Sequence, residues 1–299
     1  MNKNLNKTLL LKGKPVSEKI RVSLKNEVEK LKEKYNIVPK LVAILVGDDP
    51  ASKVYINTKH KAFLNMNCLS EKHFFSSDIS EEELINIINI FNSDDSVHGI
   101  LVQLPLPKKF NYRNILHNVD PKKDVDGFHP MNIGYLFEGN PNFIPCTPHG
   151  IIEILDYYDI PSENSNVVIV GRSNIVGKPM FGLLVQKLRK GNCTVTICHT
   201  GTRDVSYFTK QAELLIVAAG VPEYITSKMI STGVNIIDVG INRMKDKSER
   251  GYKLVGDVNF HDCYEKANSI TPVPGGVGPM TITMLIQNTI KAAKKQFKI

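Results

Sequence analysis

Six short apolar runs constrain this chain more than any other feature. They span 41–46, 99–104, 167–170, 194–198, 214–218 and 234–239, and the first two are closed by Gly47 and Pro105. Runs of this length without polar alternation read as strands buried on both faces, the mark of a parallel sheet. Helix-period stretches lie between them. Val16, Ile20, Leu24, Val28 and Leu31 predict a helix over 15–35, and Asp48-Asp49-Pro50 opens another over 51–66. Ser80 and Glu83 form a capping-box pattern ahead of 84–91. Further helices are expected over 148–158, 177–188 and 281–297. Strand and helix in alternation give an α/β fold.

With 299 residues, and about 150 per domain, two domains are expected. The section 107–148 is rich in Pro, Asn, Gly and Asp and reads as a long ordered loop, a type that tends to be functional. It separates a first α/β region from a second, Rossmann-type one. The 42% hydrophobic content argues against a disordered chain. Five cysteines without a C-x-x-C pair imply a reduced, intracellular protein. No stretch reaches the ~18 apolar residues of a membrane span. The run near the N-terminus is too short for a signal peptide, so a cytoplasmic location is expected. The net charge of +8 favours anionic partners. The lysines at the end of the last helix lack stacking aromatics, so nucleic acid is not expected as a partner.

Several segments could carry chemistry. Val167 to Met180 places Gly171 at a strand end and Gly177 at a helix start, where free N–H groups favour phosphate. G-x-G-x-x-G is absent. Five residues separate the glycines and Pro179 follows Lys178, so the P-loop pattern for nucleoside triphosphates also fails. A dinucleotide turn and a ligand-free glycine turn both remain open on this segment alone. The next strand ends in Cys198-His199-Thr200, with no acid to bond a ribose 2′-hydroxyl. With Arg172 and Thr200 nearby, that favours NADP over NAD. Tyr55 and Lys59 share one helix face. On the helix alone, Lys59 reads as one solvated lysine among several. Gln103 stands at a strand end. Asp124 and Asp126 sit in the long loop without a metal-ligand spacing, and turn formation explains them best. Cys146 reads as a packing residue. Pro274 to Pro279 holds three glycines and two prolines, a loop whose backbone can approach a ligand closely.

In order, VGDDPASKVYINTK, VQLPLP, DVDGF, PCTP, GRSNIVGKPM and PGGVGPMT resemble one family across essentially the whole chain: bifunctional 5,10-methylenetetrahydrofolate dehydrogenase/5,10-methenyltetrahydrofolate cyclohydrolase. The resemblance implies two α/β domains flanking a cleft. Residues 1–148 with 280–299 would form the folate-binding catalytic domain, and 149–279 the Rossmann-type NADP-binding domain. It also implies a homodimer, and substrates that are tetrahydrofolate derivatives with or without a polyglutamate tail.

The implied catalytic residues are Lys59, which assists water attack and ring opening, Gln103, which holds Lys59, and Asp126, which accepts from the pterin. Tyr55 would stack on the folate. Val102, Leu104 and the loop Pro274, Gly275, Gly276, Val277, Gly278 and Pro279 would complete the substrate contacts. Gly171, Arg172, Ser173, Thr200 and Ile241 would contact NADP. No metal is implied. Many relatives carry Ser-Lys-Thr after the histidine at 199, where this chain has Thr200-Gly201-Thr202. That departure removes one cation from the argument for NADP. A non-catalytic folate- or nucleotide-binding protein is the competing reading, opposed by the presence of Tyr55, Lys59, Gln103 and Asp126 together.

Overall fold

The computed structural model describes residues 8–247 and 251–299. The chain divides into two compact units, one of 8–17 and 147–281, the other of 18–146 and 282–299.

The first unit is built on a six-stranded sheet. Across it the strands run Leu9–Leu10, Ser269–Ile270, Asn235–Asp238, Leu214–Val217, Asn166–Val170 and Thr194–Cys198, every pair parallel. Val167–Val170 and Leu214–Val217 are buried at every position, as two covered faces require. Val168, Val170, Leu215, Val217 and Ile236 share one core with Ile225 and Ile230. Asn166–Val170 has the next strand in sequence on one side and the one after that on the other. Its C-terminal end is therefore a topological switch point, where open α/β sheets take up ligands.

The second unit repeats the logic with three parallel strands, in the order Leu69–Phe75, Lys40–Val46, Gly99–Val102. Val42, Ile44 and Val46 pack with Ile100, Val102, Leu84 and Ile88. The helix Pro50–Asn65 starts where Asp49 accepts from the Ser52 amide at 2.7 Å, with Pro50 at its first position. Glu81–Ser93 starts with a reciprocal capping box between Ser80 and Glu83. Lys40–Val46 again has its successors on opposite sides, so this sheet also carries a switch point.

Several expectations are corrected. Residues 8–17, placed by the sequence reading with the first domain, belong to the six-stranded unit. Leu9–Leu10 adds an edge strand to it, the Leu11 amide donates to the Ile270 carbonyl at 2.9 Å, and the Gly13 amide donates to that of Gly275 at 2.9 Å. The strand expected over 99–104 ends at Val102, and the helix expected over 177–188 ends at Leu184. Beyond Leu184 the backbone reverses through Lys190 and Asn192, both at positive φ. Leu69–Phe75 is a strand without an apolar run, because an edge strand with partial exposure carries Glu71, Lys72 and His73 where a buried strand carries apolar residues. The antiparallel pair Asn242–Lys245 and Tyr252–Val255 is likewise part-exposed and carries no apolar run.

Candidate active site

In the three-stranded unit, the elements bring four of the expected residues into two adjoining places. Gln103 directly follows Gly99–Val102, and its amide donates to the Ile44 carbonyl at 2.9 Å, which holds it at the switch point. Its side-chain Nε2 donates to the Leu104 carbonyl at 2.6 Å. That fixes the amide so that Oε1 faces Lys59, whose Nζ donates to it at 3.0 Å. Lys59 is only 8% exposed, which rules out the solvated lysine that its helix alone suggested. Tyr55, one turn earlier, keeps 40% of its surface, and partial burial raises its phenol above the usual value. Val102 is buried and Leu104 partly so.

Asp124 and Asp126 divide their work. Asp124 accepts from the amides of Phe128 at 3.1 Å and His129 at 2.8 Å, and from Asn132 Nδ2 at 2.7 Å. It is the turn-former. Asp126 keeps partial solvent access. Burial raises its carboxyl, and the Lys59 ammonium counters that rise. Cys146 packs beside it. The thiol donates to the Val125 carbonyl at 3.3 Å, and burial pushes it well above the ordinary thiol range. An inert packing thiol is what these facts describe. The arrangement offers a fixed ammonium, a neutral amide that orients it and a carboxylate of the opposite charge. Among the described residues no group of three or more His, Cys, Asp or Glu is placed to hold a metal.

In the six-stranded unit, Gly171 closes the central strand at φ +126°, and a Cβ there would run into the Ala218 carbonyl. A Cβ at Gly177 would meet the Gly171 carbonyl. The turn can form only with both side chains missing. Ser173 Oγ accepts from the Val176 amide at 3.1 Å, and Arg172 and Ser173 are exposed at this edge. At the end of Thr194–Cys198, the Thr202 hydroxyl accepts from the His199 amide and His199 Nδ1 accepts from the Gly201 amide, which leaves Thr200 exposed. Ile241 is 45% exposed, and its Cδ1 lies 3.7 Å from where a Gly278 Cβ would stand. Ile241 and the 274–279 loop are thus neighbours. Two buried carboxylates, Asp238 and Asp257, escaped the sequence reading. The signal was present in Asp238-Val239-Gly240 and Gly256-Asp257-Val258, each an acid next to a glycine within apolar surroundings.

The fold and this turn define a class: a doubly wound α/β chain with a side-chain-free dinucleotide-type turn at the switch point of its larger sheet. Comparison with known proteins gives the family. Residues 11–126 match the catalytic domain, and residues 145–297 the NAD(P)-binding domain, of tetrahydrofolate dehydrogenase/cyclohydrolase. The chain belongs to that family. The bifunctional protein FolD of Syntrophobacter fumaroxidans is 50% identical over 290 residues, covering 97% of this chain and 98% of its own. The crystal structure of the bifunctional FolD methylenetetrahydrofolate dehydrogenase/cyclohydrolase from Campylobacter jejuni has a TM-score of 0.90 at 48% identity, covering 96% of this chain and 99% of that one. The Trypanosoma brucei enzyme, complexed with NADP cofactor and inhibitor, has a TM-score of 0.92 at 32% identity, covering 98% and 99%.

Proposed function

We propose that this chain oxidises 5,10-methylenetetrahydrofolate to 5,10-methenyltetrahydrofolate with NADP, then hydrolyses the product to 10-formyltetrahydrofolate. The observation that carries the reading is the buried Lys59 held by Gln103, within electrostatic reach of Asp126. A binding protein has no need of an oriented, desolvated ammonium, whereas hydrolysis of a cationic methenyl bridge needs a group that moves protons at the reacting carbon.

The residues of the six-stranded unit suit NADP. The glycines at 171 and 177 leave the cradle free of Cβ atoms, the Arg172 guanidinium suits the 2′-phosphate, and Thr200 can donate to it. Ser173 and Ile241 complete the contacts. When bound, NADP accepts a hydride from the methylene carbon.

The rest is done by side chains. Tyr55 stacks on the folate, with Val102 and Leu104 beside it. Asp126 accepts hydrogen bonds from the pterin N–H groups, which orients the ring and opposes the positive charge of the methenyl product. Lys59, kept in place by Gln103, assists water as it adds to the methenyl carbon. Water adds to that carbon and gives up one proton to solvent. As the bond from the carbon to N5 breaks, the remaining hydroxyl loses its proton to become the formyl C=O and N5 takes up a proton, so that one proton is released overall with the 10-formyl product.

Among the described residues no helix is long and apolar enough to cross a membrane. With five free cysteines, the chain suits a reducing compartment, and we place it in the cytoplasm as a homodimer. Incubation of the purified chain with methylenetetrahydrofolate and NADP tests the function. Methenyl formation followed by decay to the formyl product is expected, and failure to reduce NADP contradicts the reading.

A further inference from the structure

We propose that Asp257 is a positioning residue of the cofactor site, acting through the backbone amides of the loop after Leu214–Val217 and through the side-chain amide of Asn242, beyond Asn235–Asp238. The proposal rests on the NADP site described above.

The sheet ladder ends early on both strands. The last rungs are the Ala218 amide to the Val170 carbonyl at 2.8 Å and the Val239 amide to the Val217 carbonyl at 2.9 Å. Beyond them the loops have left the sheet, and a fully buried carboxylate takes over. Asp257 Oδ2 accepts from the amides of Ala219 at 2.7 Å and Gly220 at 2.8 Å. Its Oδ1 accepts from Asn242 Nδ2 at 2.8 Å. One side chain therefore holds the loop whose Ala218 carbonyl abuts Gly171, and also the residue next to Ile241. Those are the two ends of the proposed dinucleotide path.

A second acid fixes the first. Asp238 Oδ1 accepts from the amides of Gly240 at 3.0 Å and Asp257 at 2.9 Å, and Oδ2 accepts from that of Val258 at 2.9 Å. The glycines fit this arrangement. A Cβ at Gly240 would collide with the Asp257 carboxylate, and one at Gly256 with the Asp238 carboxylate. The donors to both acids are amides, so the pair serves geometry rather than charge exchange with a cation.

The test is steady-state kinetics on the full chain carrying Asp257→Ala, Asp257→Asn or Asn242→Ala, with NADP and folate varied separately. Asp257→Ala is expected to raise the KM for NADP by about tenfold, with kcat and the KM for methylenetetrahydrofolate changed less than about threefold. Asp257→Asn keeps an oxygen for the Ala219 and Gly220 amides and is expected to recover most of the loss. Asn242→Ala cuts only the link beside Ile241 and is expected to raise the same KM by a smaller factor, so the proposal stays testable if Asp257→Ala does not fold. An unchanged KM for NADP in Asp257→Ala and Asn242→Ala overturns the proposal, as does an equal loss in every parameter. Those results leave the enzyme's function standing. Only an unmodified chain unable to use NADP removes the reading on which the proposal rests.

Discussion

Lys59 Nζ donates to Gln103 Oε1 at 3.0 Å across 44 positions of sequence, with Lys59 only 8% exposed. The amide is itself tied by Nε2 to the Leu104 carbonyl at 2.6 Å, so the lysine is aimed by a group that cannot swing. Replacing it with Met preserves the buried stem and removes the proton carrier. Lys59→Met is expected to slow methenyl hydrolysis by about 10²-fold or more, the lower end of general acid–base catalysis. NADP affinity should be unchanged. Near-normal hydrolysis in the purified variant contradicts the role.

Asp126 is half-buried, and desolvation raises its carboxyl although the Lys59 ammonium opposes that rise. Loss of a charge-assisted acceptor typically costs about 1.5–3 kcal/mol of affinity, so Asp126→Ala should weaken folate binding and leave NADP binding intact. Its carboxyl is raised in the folded chain. A carboxyl that holds its proton more tightly when folded lowers stability as pH rises through its folded value. At neutral pH, Asp126→Asn should therefore melt no lower than the unmodified chain. Folate titration and thermal unfolding together decide it, and unchanged folate affinity makes Asp126 a loop residue only.

NADP is expected to serve at least about tenfold better than NAD in kcat/KM, a difference of ~1.4 kcal/mol that one charge-assisted hydrogen bond can supply. No acid ends the strand Thr194–Cys198, and the turn that follows leaves Thr200 exposed. Arg172→Ala should erode the preference mainly through the KM for NADP. Equal efficiency with both cofactors refutes this account of residues 198–202.

A pH effect follows from Asp238. Burial pushes its carboxyl up to about 7 from an ordinary 3.8, against three backbone amides that favour its charge and beside the Asp257 carboxylate that opposes it. The folded state binds the extra proton between those values, so stability should fall as pH rises from about 4 to about 7. Asp238→Asn should flatten that fall even though it gives up one acceptor. Denaturant titrations at several pH values measure it, and an unaltered slope assigns the trend elsewhere.

The sheets were legible where strands are apolar on both faces, as at 41–46 and 167–170. They were illegible where exposure made them polar, as at Leu69–Phe75, or where two residues suffice, as at Leu9–Leu10 and Ser269–Ile270. Such short strands take their stability from pairing at long sequence separation, which no local pattern encodes. The same limit governs the site. Tyr55 and Lys59 share a helix face in any reading, yet only the fold shows that Lys59 is buried and meets Gln103. Asp257 was hidden because its partners Ala219, Gly220 and Asn242 lie 38, 37 and 15 positions away and meet it only in the fold.

The central claim is that one chain performs both steps. The most direct measurement follows the methenyl intermediate after mixing the unmodified chain and Lys59→Met with methylenetetrahydrofolate and NADP. The account predicts NADP reduction with transient methenyl and formyl product in the first. In the second, any methenyl that forms should persist rather than be hydrolysed. Equal methenyl decay in both proteins, at a rate above that in buffer, would contradict it.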